Sequence, residues 1–104
     1  MNLKANFSED QILTLFLEGA IDSATAHQVE TQIMDCYHAH AAKEVVLDAG
    51  ELRYISSSGL RVLLKLRKLE QNLKLINASA EVYDILEMTG FTDLFPVSKA
   101  YRSI

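Results

Sequence analysis

The centre of the chain changes its hydrophobic periodicity within a few residues, and that change constrains the fold more than any other feature. Val45-Val46-Leu47 is a short β-branched run without alternation, the pattern of a central strand covered on both faces, and Asp48-Ala49-Gly50 reads as its end. From Leu60 the apolar residues recur at helical spacing, with Leu60, Leu63 and Leu64 on one side and Val62, Leu66 and Leu69 on the adjoining one. At about 100° per residue those positions cover more than half of the circumference, so this helix packs on a sheet and on a further element. Between strand and helix stand Ser56, Ser57 and Ser58, followed by Gly59. Serine is a favoured N-cap because its side-chain oxygen accepts from unpaired backbone N–H groups of the first turn, so one of the three starts the helix, with Ser57 or Ser58 able to do so. The hydroxyls left over lie at the helix's positive end, where a phosphate is well placed.

The flanking segments alternate in the same way. Residues 2–7 and 11–17 alternate or run apolar around the turn-forming Ser8-Glu9-Asp10-Gln11, which predicts an opening β-hairpin whose second strand closes at Gly19. After Asp22 and Ser23, either of which can cap, Ala26, Val29, Ile33, Cys36 or Tyr37, and His40 recur at helical spacing. Leu73-Lys74-Leu75-Ile76 reads as a strand, and Ser79 can cap a third helix that turns Val82, Ile85, Leu86 and Thr89 inward and ends at Gly90. Phe91, Leu94, Phe95 and Val97 form a last apolar segment, suited to an edge strand because Pro96 cannot donate to a ladder. The expected class is therefore α/β: a mixed β-sheet with helices packed on one face, in the order β-β-α-β-α-β-α with a final short strand. The strand-to-helix turns, one carrying Asp22 and one the serines, collect at one edge of such a sheet, where α/β proteins bind their ligands.

Composition narrows the function. The 104 residues, 49% hydrophobic and 23% charged, suffice for one domain and leave no room for a second. A net charge of −4 argues against a nucleic-acid binder and leaves protein or small-molecule partners. The longest early apolar run, residues 12–17, is too short to span a membrane and follows acidic residues, so neither a signal peptide nor direct membrane insertion is expected. Cys36 is the only cysteine, which excludes a disulfide framework, suits a reducing cytoplasm and reads as a small core residue. No cofactor motif is present. His38 and His40, two apart on a helix, point to opposite sides and chelate a metal badly. A serine hydrolase built on Ser57 lacks a base beside it, since all three histidines fall on the first helix, so no catalytic residue is assigned. Arg61, Lys65 and Lys68, at i, i+4 and i+7, form a basic stripe: a solvated face, or a dock for an acidic partner patch.

Val45-Val46-Leu47-Asp48, then Leu52-x-Tyr54-Ile55, then Ser57-Ser58-Gly59-Leu60-x-Val62-Leu63-Leu64 closely resembles the signature of STAS domains, in particular those of bacterial anti-sigma factor antagonists. Leu17-Glu18-Gly19-Ala20-Ile21-Asp22 with Thr25-Ala26, and Glu87-Met88-Thr89-Gly90-Phe91 with Leu94-Phe95, extend the resemblance to a single STAS domain over residues 1–104. The resemblance implies a partner switch in which Ser57 is phosphorylated by an anti-sigma factor serine kinase and dephosphorylated by a PPM-type phosphatase. The unmodified antagonist binds the kinase and frees the sigma factor; the phosphorylated one lets go. It further implies a partner-binding surface of Asp22, Ser56, Ser57, Ser58 and Gly59, which the neighbouring Arg61 and Lys65 extend. The family usually has an aspartate immediately before the phosphorylated serine, and Ser56 stands there, which makes it an alternative phosphosite. The other function that the resemblance allows is a non-phosphorylated subunit of a lipid-transport ABC-type assembly.

Overall fold

A computed structural model of the chain describes residues 3–100. Strands β1 (Lys4–Phe7) and β2 (Ile12–Ile21) form the opening antiparallel hairpin, in register from Phe7 opposite Leu13 to Lys4 opposite Phe16. Its turn closes with the Gln11 N–H donating to the Ser8 carbonyl at 2.9 Å, and a left-handed Gln11 (φ 63°) then leads into Ile12, whose carbonyl accepts the Ser8 N–H at 3.0 Å. Helix α1 (Ala26–Ala39), strand β3 (Glu44–Ile55), helix α2 (Ser57–Leu69), strand β4 (Leu73–Ala78) and helix α3 (Ala80–Met88) follow in turn. A short 3-10 turn (Phe91–Asp93) leads into β5 (Val97–Lys99), an edge strand as expected. The sheet runs β1-β2-β3-β4-β5, with every pair after the first parallel. No helix among the described residues is long and apolar enough to cross a membrane.

One core explains this arrangement. Leu13, Leu15 and Leu17 of β2, Val45, Leu47 and Ala49 of β3, and Leu73 and Leu75 of β4 occur at period two and so share a sheet face. They join Val29 and Ile33 of α1, Leu63 and Leu66 of α2, and Val82 and Leu86 of α3 in a single buried cluster. All three helices therefore cover that one face, as expected. The opposite face carries the intervening residues, among them Thr14, Phe16, Asp48, Lys74 and Ile76, none of them fully buried. Val46 also lies outside the core although only 6% exposed. The unbroken apolar run is thus not the mark of a strand covered twice: Val46 is shielded by its neighbours on the open face.

Two strand ends differ from the sequence expectation for one reason. Gly19 does not close β2, and Asp48-Ala49-Gly50 does not end β3; both strands continue, to Ile21 and Ile55. The β2–β3 register shifts between Phe16 and Glu18 and again between Gly19 and Ala20, with Gly19 at φ 71°. Polar and glycine residues here mark bulges within a pair rather than its termination. Two inward assignments also change. Leu69 on α2 is 52% exposed, and Thr89, at the C-cap of α3, is exposed and donates to the Ile85 carbonyl at 2.7 Å. Ser79 caps α3, accepting from the Val82 N–H at 3.2 Å, and Gly90 adopts the left-handed conformation (φ 83°) that ends it.

Candidate functional site

The continuation of β2 and β3 builds the site. Their last paired residues are Ile21 and Ile55, so the turn after each strand emerges beside the other at one corner of the sheet. The Ser56 N–H donates to the Ile21 carbonyl at 2.8 Å, carrying the ladder one step past the strands. Asp22 and Ser56 are thereby neighbours across two parallel turns.

The turn after β2 is held by Asp22 and Thr25 reciprocally. Asp22 Oδ1 accepts from the Ala24 N–H at 2.9 Å and the Thr25 N–H at 3.1 Å. Thr25 Oγ1 accepts from the Asp22 N–H and donates to the Ala20 carbonyl, both at 3.0 Å. The N-cap position of α1 is Thr25, whose side chain makes no capping bond, so neither Asp22 nor Ser23 caps the helix itself; Asp22 organises the turn before it.

The turn after β3 assigns the three serines separate positions. Ser56 is the N-cap of α2, extended at φ −91° and ψ 177°, and its Oγ accepts from the Gly59 N–H at 3.4 Å. Of the three serines expected to supply the cap, it is Ser56 that does so, rather than Ser57 or Ser58, and the last ladder bond holds Ser56 in the extended conformation a cap requires. Ser57 is the first helical residue and is exposed; Ser58 is half-buried. Gly59 is buried where α2 crosses both strand ends. A Cβ there would lie 2.6 Å from Ile55 Cγ1, 2.8 Å from Ile21 Cγ2 and 3.0 Å from the Ile21 carbonyl oxygen. Only a glycine admits so close an approach, and the approach sets where Ser57 emerges.

Of the predicted partner-surface residues, Asp22, Ser56, Ser57, Ser58 and Gly59 meet at this corner. Arg61 lies one helical turn beyond Ser57 and is exposed. Lys65, two turns along, is committed elsewhere: its Nζ pairs with Glu30 of α1 at 3.1 and 3.2 Å. The reading from sequence quoted Thr25 and Tyr54 only within the motifs of the resemblance and gave neither a role at the site: Thr25 completes the Asp22 turn, and Tyr54 is 49% exposed opposite Ala20 just before the serines. An aromatic two residues ahead of a polar cap, in a strand whose neighbour Ile55 is buried, was the available signal for Tyr54. Away from the corner, Cys36 is half-buried and burial pushes its thiol up, as suits a packing residue, while His40 Nδ1 lies 2.8 Å from the Cys36 carbonyl.

The STAS domain profile matches residues 6–104. The chain belongs to the STAS domain family. BtrV of Bordetella bronchiseptica, provisionally named an anti-sigma factor antagonist, is 37% identical over 95 residues, covering 88% of this chain and 81% of BtrV. The anti-sigma-B factor antagonist of Listeria monocytogenes is 26% identical over 103 residues, covering 93% and 90% of the two chains. Among solved structures, the unphosphorylated form of the anti-sigma factor antagonist SpoIIAA superimposes with a TM-score of 0.73 at 19% identity, covering 92% of this chain and 87% of that one. The phosphorylated form of the Bacillus SpoIIAA gives 0.66 at 18% identity, covering 92% and 90%. The five-stranded mixed sheet and three helices of this chain match the STAS fold of these structures.

Proposed function

We propose that this STAS domain is an anti-sigma factor antagonist working as a partner switch, with Ser57 as its phosphorylation site. Unmodified, it binds an anti-sigma factor serine kinase through the corner formed by Asp22 and the start of α2, and so releases the sigma factor. In the transfer step the Ser57 Oγ attacks the γ-phosphorus of ATP held by the kinase. An Oγ–P bond forms, the bond to the ADP oxygen breaks, and the hydroxyl proton leaves to a base on the kinase. The phosphate adds about −1.5 to −2 charges inside the contact surface, where desolvation and the nearby Asp22 carboxylate oppose docking, and the partner lets go. A PPM-type phosphatase resets the switch.

The observation that carries this reading is the division of labour among the serines. Ser56 is committed to the cap, so Ser57 stands exposed at the first helical position with its hydroxyl free of that duty. The reading is supported by the relatives named as anti-sigma factor antagonists and by SpoIIAA having been solved in both phosphorylation states. The same names leave the lipid-transport alternative without favour. The test is intact-mass measurement after incubating the purified protein with its candidate kinase and ATP. One added phosphate on wild type, lost in Ser57→Ala, is expected. No phosphate on wild type removes the switch, and phosphate retained in Ser57→Ala but lost in Ser56→Ala moves the site.

A further inference from the structure

We infer that Arg61 is the internal counter-ion of a phosphate on Ser57, a latch within α2 that closes when the switch is thrown. The inference rests on the phosphorylation of Ser57 proposed above. Ser57 and Arg61 are four residues apart on a regular helix, so their Cβ atoms share one face about 5–6 Å apart, with the long guanidinium stem easily spanning the gap. Both side chains are exposed, so neither must leave a packed position to meet the other. A guanidinium also presents parallel N–H donors that match two phosphate oxygens, which an ammonium does not.

Two further features single out Arg61 among the cations of α2. Lys65 is held by Glu30 at 3.1 Å, and Arg67 donates to the Leu94 carbonyl at 2.9 Å and to Gln71 at 2.8 Å. Lys68 is three turns from Ser57. Arg61 makes no ion pair among the described residues. The first turn of α2 contains no acidic residue, and its cap is the neutral Ser56. The helix thus places its basic Arg67 and Lys68 favourably in the last turn and has no acidic residue of its own in the first, with Arg61 following one turn after Ser57. A phosphate arriving at Ser57 therefore meets the positive end of α2 and, one turn on, a guanidinium with no ion pair to give up among the described residues.

The consequence is that one modification changes two groups on the partner surface. The phosphate appears, and the Arg61 charge that an acidic partner patch could use is drawn back onto it.

The test introduces phosphoserine at position 57 during translation and follows the phosphate by 31P NMR through its second ionisation, near pH 6. A neighbouring guanidinium stabilises the dianion, so the midpoint in the Arg61 protein is expected about half a unit below that of Arg61→Gln, with Arg61→Lys in between. Equal midpoints in all three overturn the latch. Because no kinase takes part, this result is independent of the mass assay above. Unequal midpoints without enzymatic transfer sink the proposed switch and leave the latch; equal midpoints with transfer sink the latch alone.

Discussion

Gly59 lies against Ile21 so closely that a methyl group there would come within 2.8 Å of the isoleucine's Cγ2 and 3.0 Å of its carbonyl oxygen. That carbonyl already accepts the Ser56 N–H at 2.8 Å, so it cannot retreat without breaking the bond that fixes the cap. Gly59→Ala should therefore destabilise the domain by about 1–3 kcal/mol through overpacking, even though alanine gains about 1 kcal/mol of helix propensity. Urea denaturation measures this, and a variant as stable as wild type would show that α2 rests less tightly on the strand ends.

Ser56 and Ser57 are adjacent yet should respond oppositely to alanine. Ser56→Ala removes the acceptor for the Gly59 N–H; at 3.4 Å that bond is long, so a loss at the lower end of the capping range, about 0.5–1 kcal/mol, is expected. Ser57→Ala removes an exposed hydroxyl and should stay within about 0.5 kcal/mol while abolishing phosphate transfer. Denaturation midpoints ranked the other way would give the cap to Ser57.

What could be read from the chain before its structure follows from this pair. The periodic segments, the serine-bearing turn and the nearness of Asp22 to it were all legible, because hydrophobic spacing and strand-to-helix order depend on local pattern. The identity of the cap was not. It is decided by the Ser56–Ile21 bond between residues 35 positions apart, and thus by how far two strands continue past their glycines. The same non-local cause made Gly19 and Gly50 look like strand ends when they lie within bulged β2 and β3. Helix coverage of only one face was legible from the order of elements, whereas the shielding of Val46 on the other face depends on its neighbours in three dimensions.

Ser57→Asp places a carboxylate at the first turn of α2, which the helix tolerates and a desolvated contact does not. The fold should be retained by circular dichroism, and binding to the kinase partner should weaken by about two orders of magnitude, a few kcal/mol. A titration giving wild-type affinity would count against a contact surface centred on Ser57.

Asp22 serves its own turn and, in the proposed switch, the partner, and two substitutions separate these roles. Asp22→Ala loses the acceptor for both the Ala24 and Thr25 N–H groups and should cost about 1 kcal/mol of stability. Asp22→Asn keeps an Oδ1 acceptor and should cost only a few tenths of a kcal/mol. Both remove the charge, so both should weaken kinase binding if the carboxylate touches the partner. Wild-type affinity in Asp22→Asn would confine Asp22 to the turn.

Far from that corner, the Tyr37 hydroxyl joins α1 to the end of α2, donating to Glu70 Oε1 at 3.0 Å and lying 3.2 Å from the Leu69 carbonyl. Burial raises the phenol's pKa, and the hydrogen bond to Glu70 and its negative charge raise it further. The protonated form is the one the fold prefers. Its contribution is complete below the unfolded phenol's value of about 10 and is lost as the pH climbs through the higher folded value, where a phenolate would face the Glu70 carboxylate. Stability should therefore decline on the alkaline side in wild type, and Tyr37→Phe, which has no proton to lose there, should show a shallower decline. Urea midpoints for the two proteins on either side of pH 10 measure the difference. Parallel curves would mean that the helix junction does not depend on this proton.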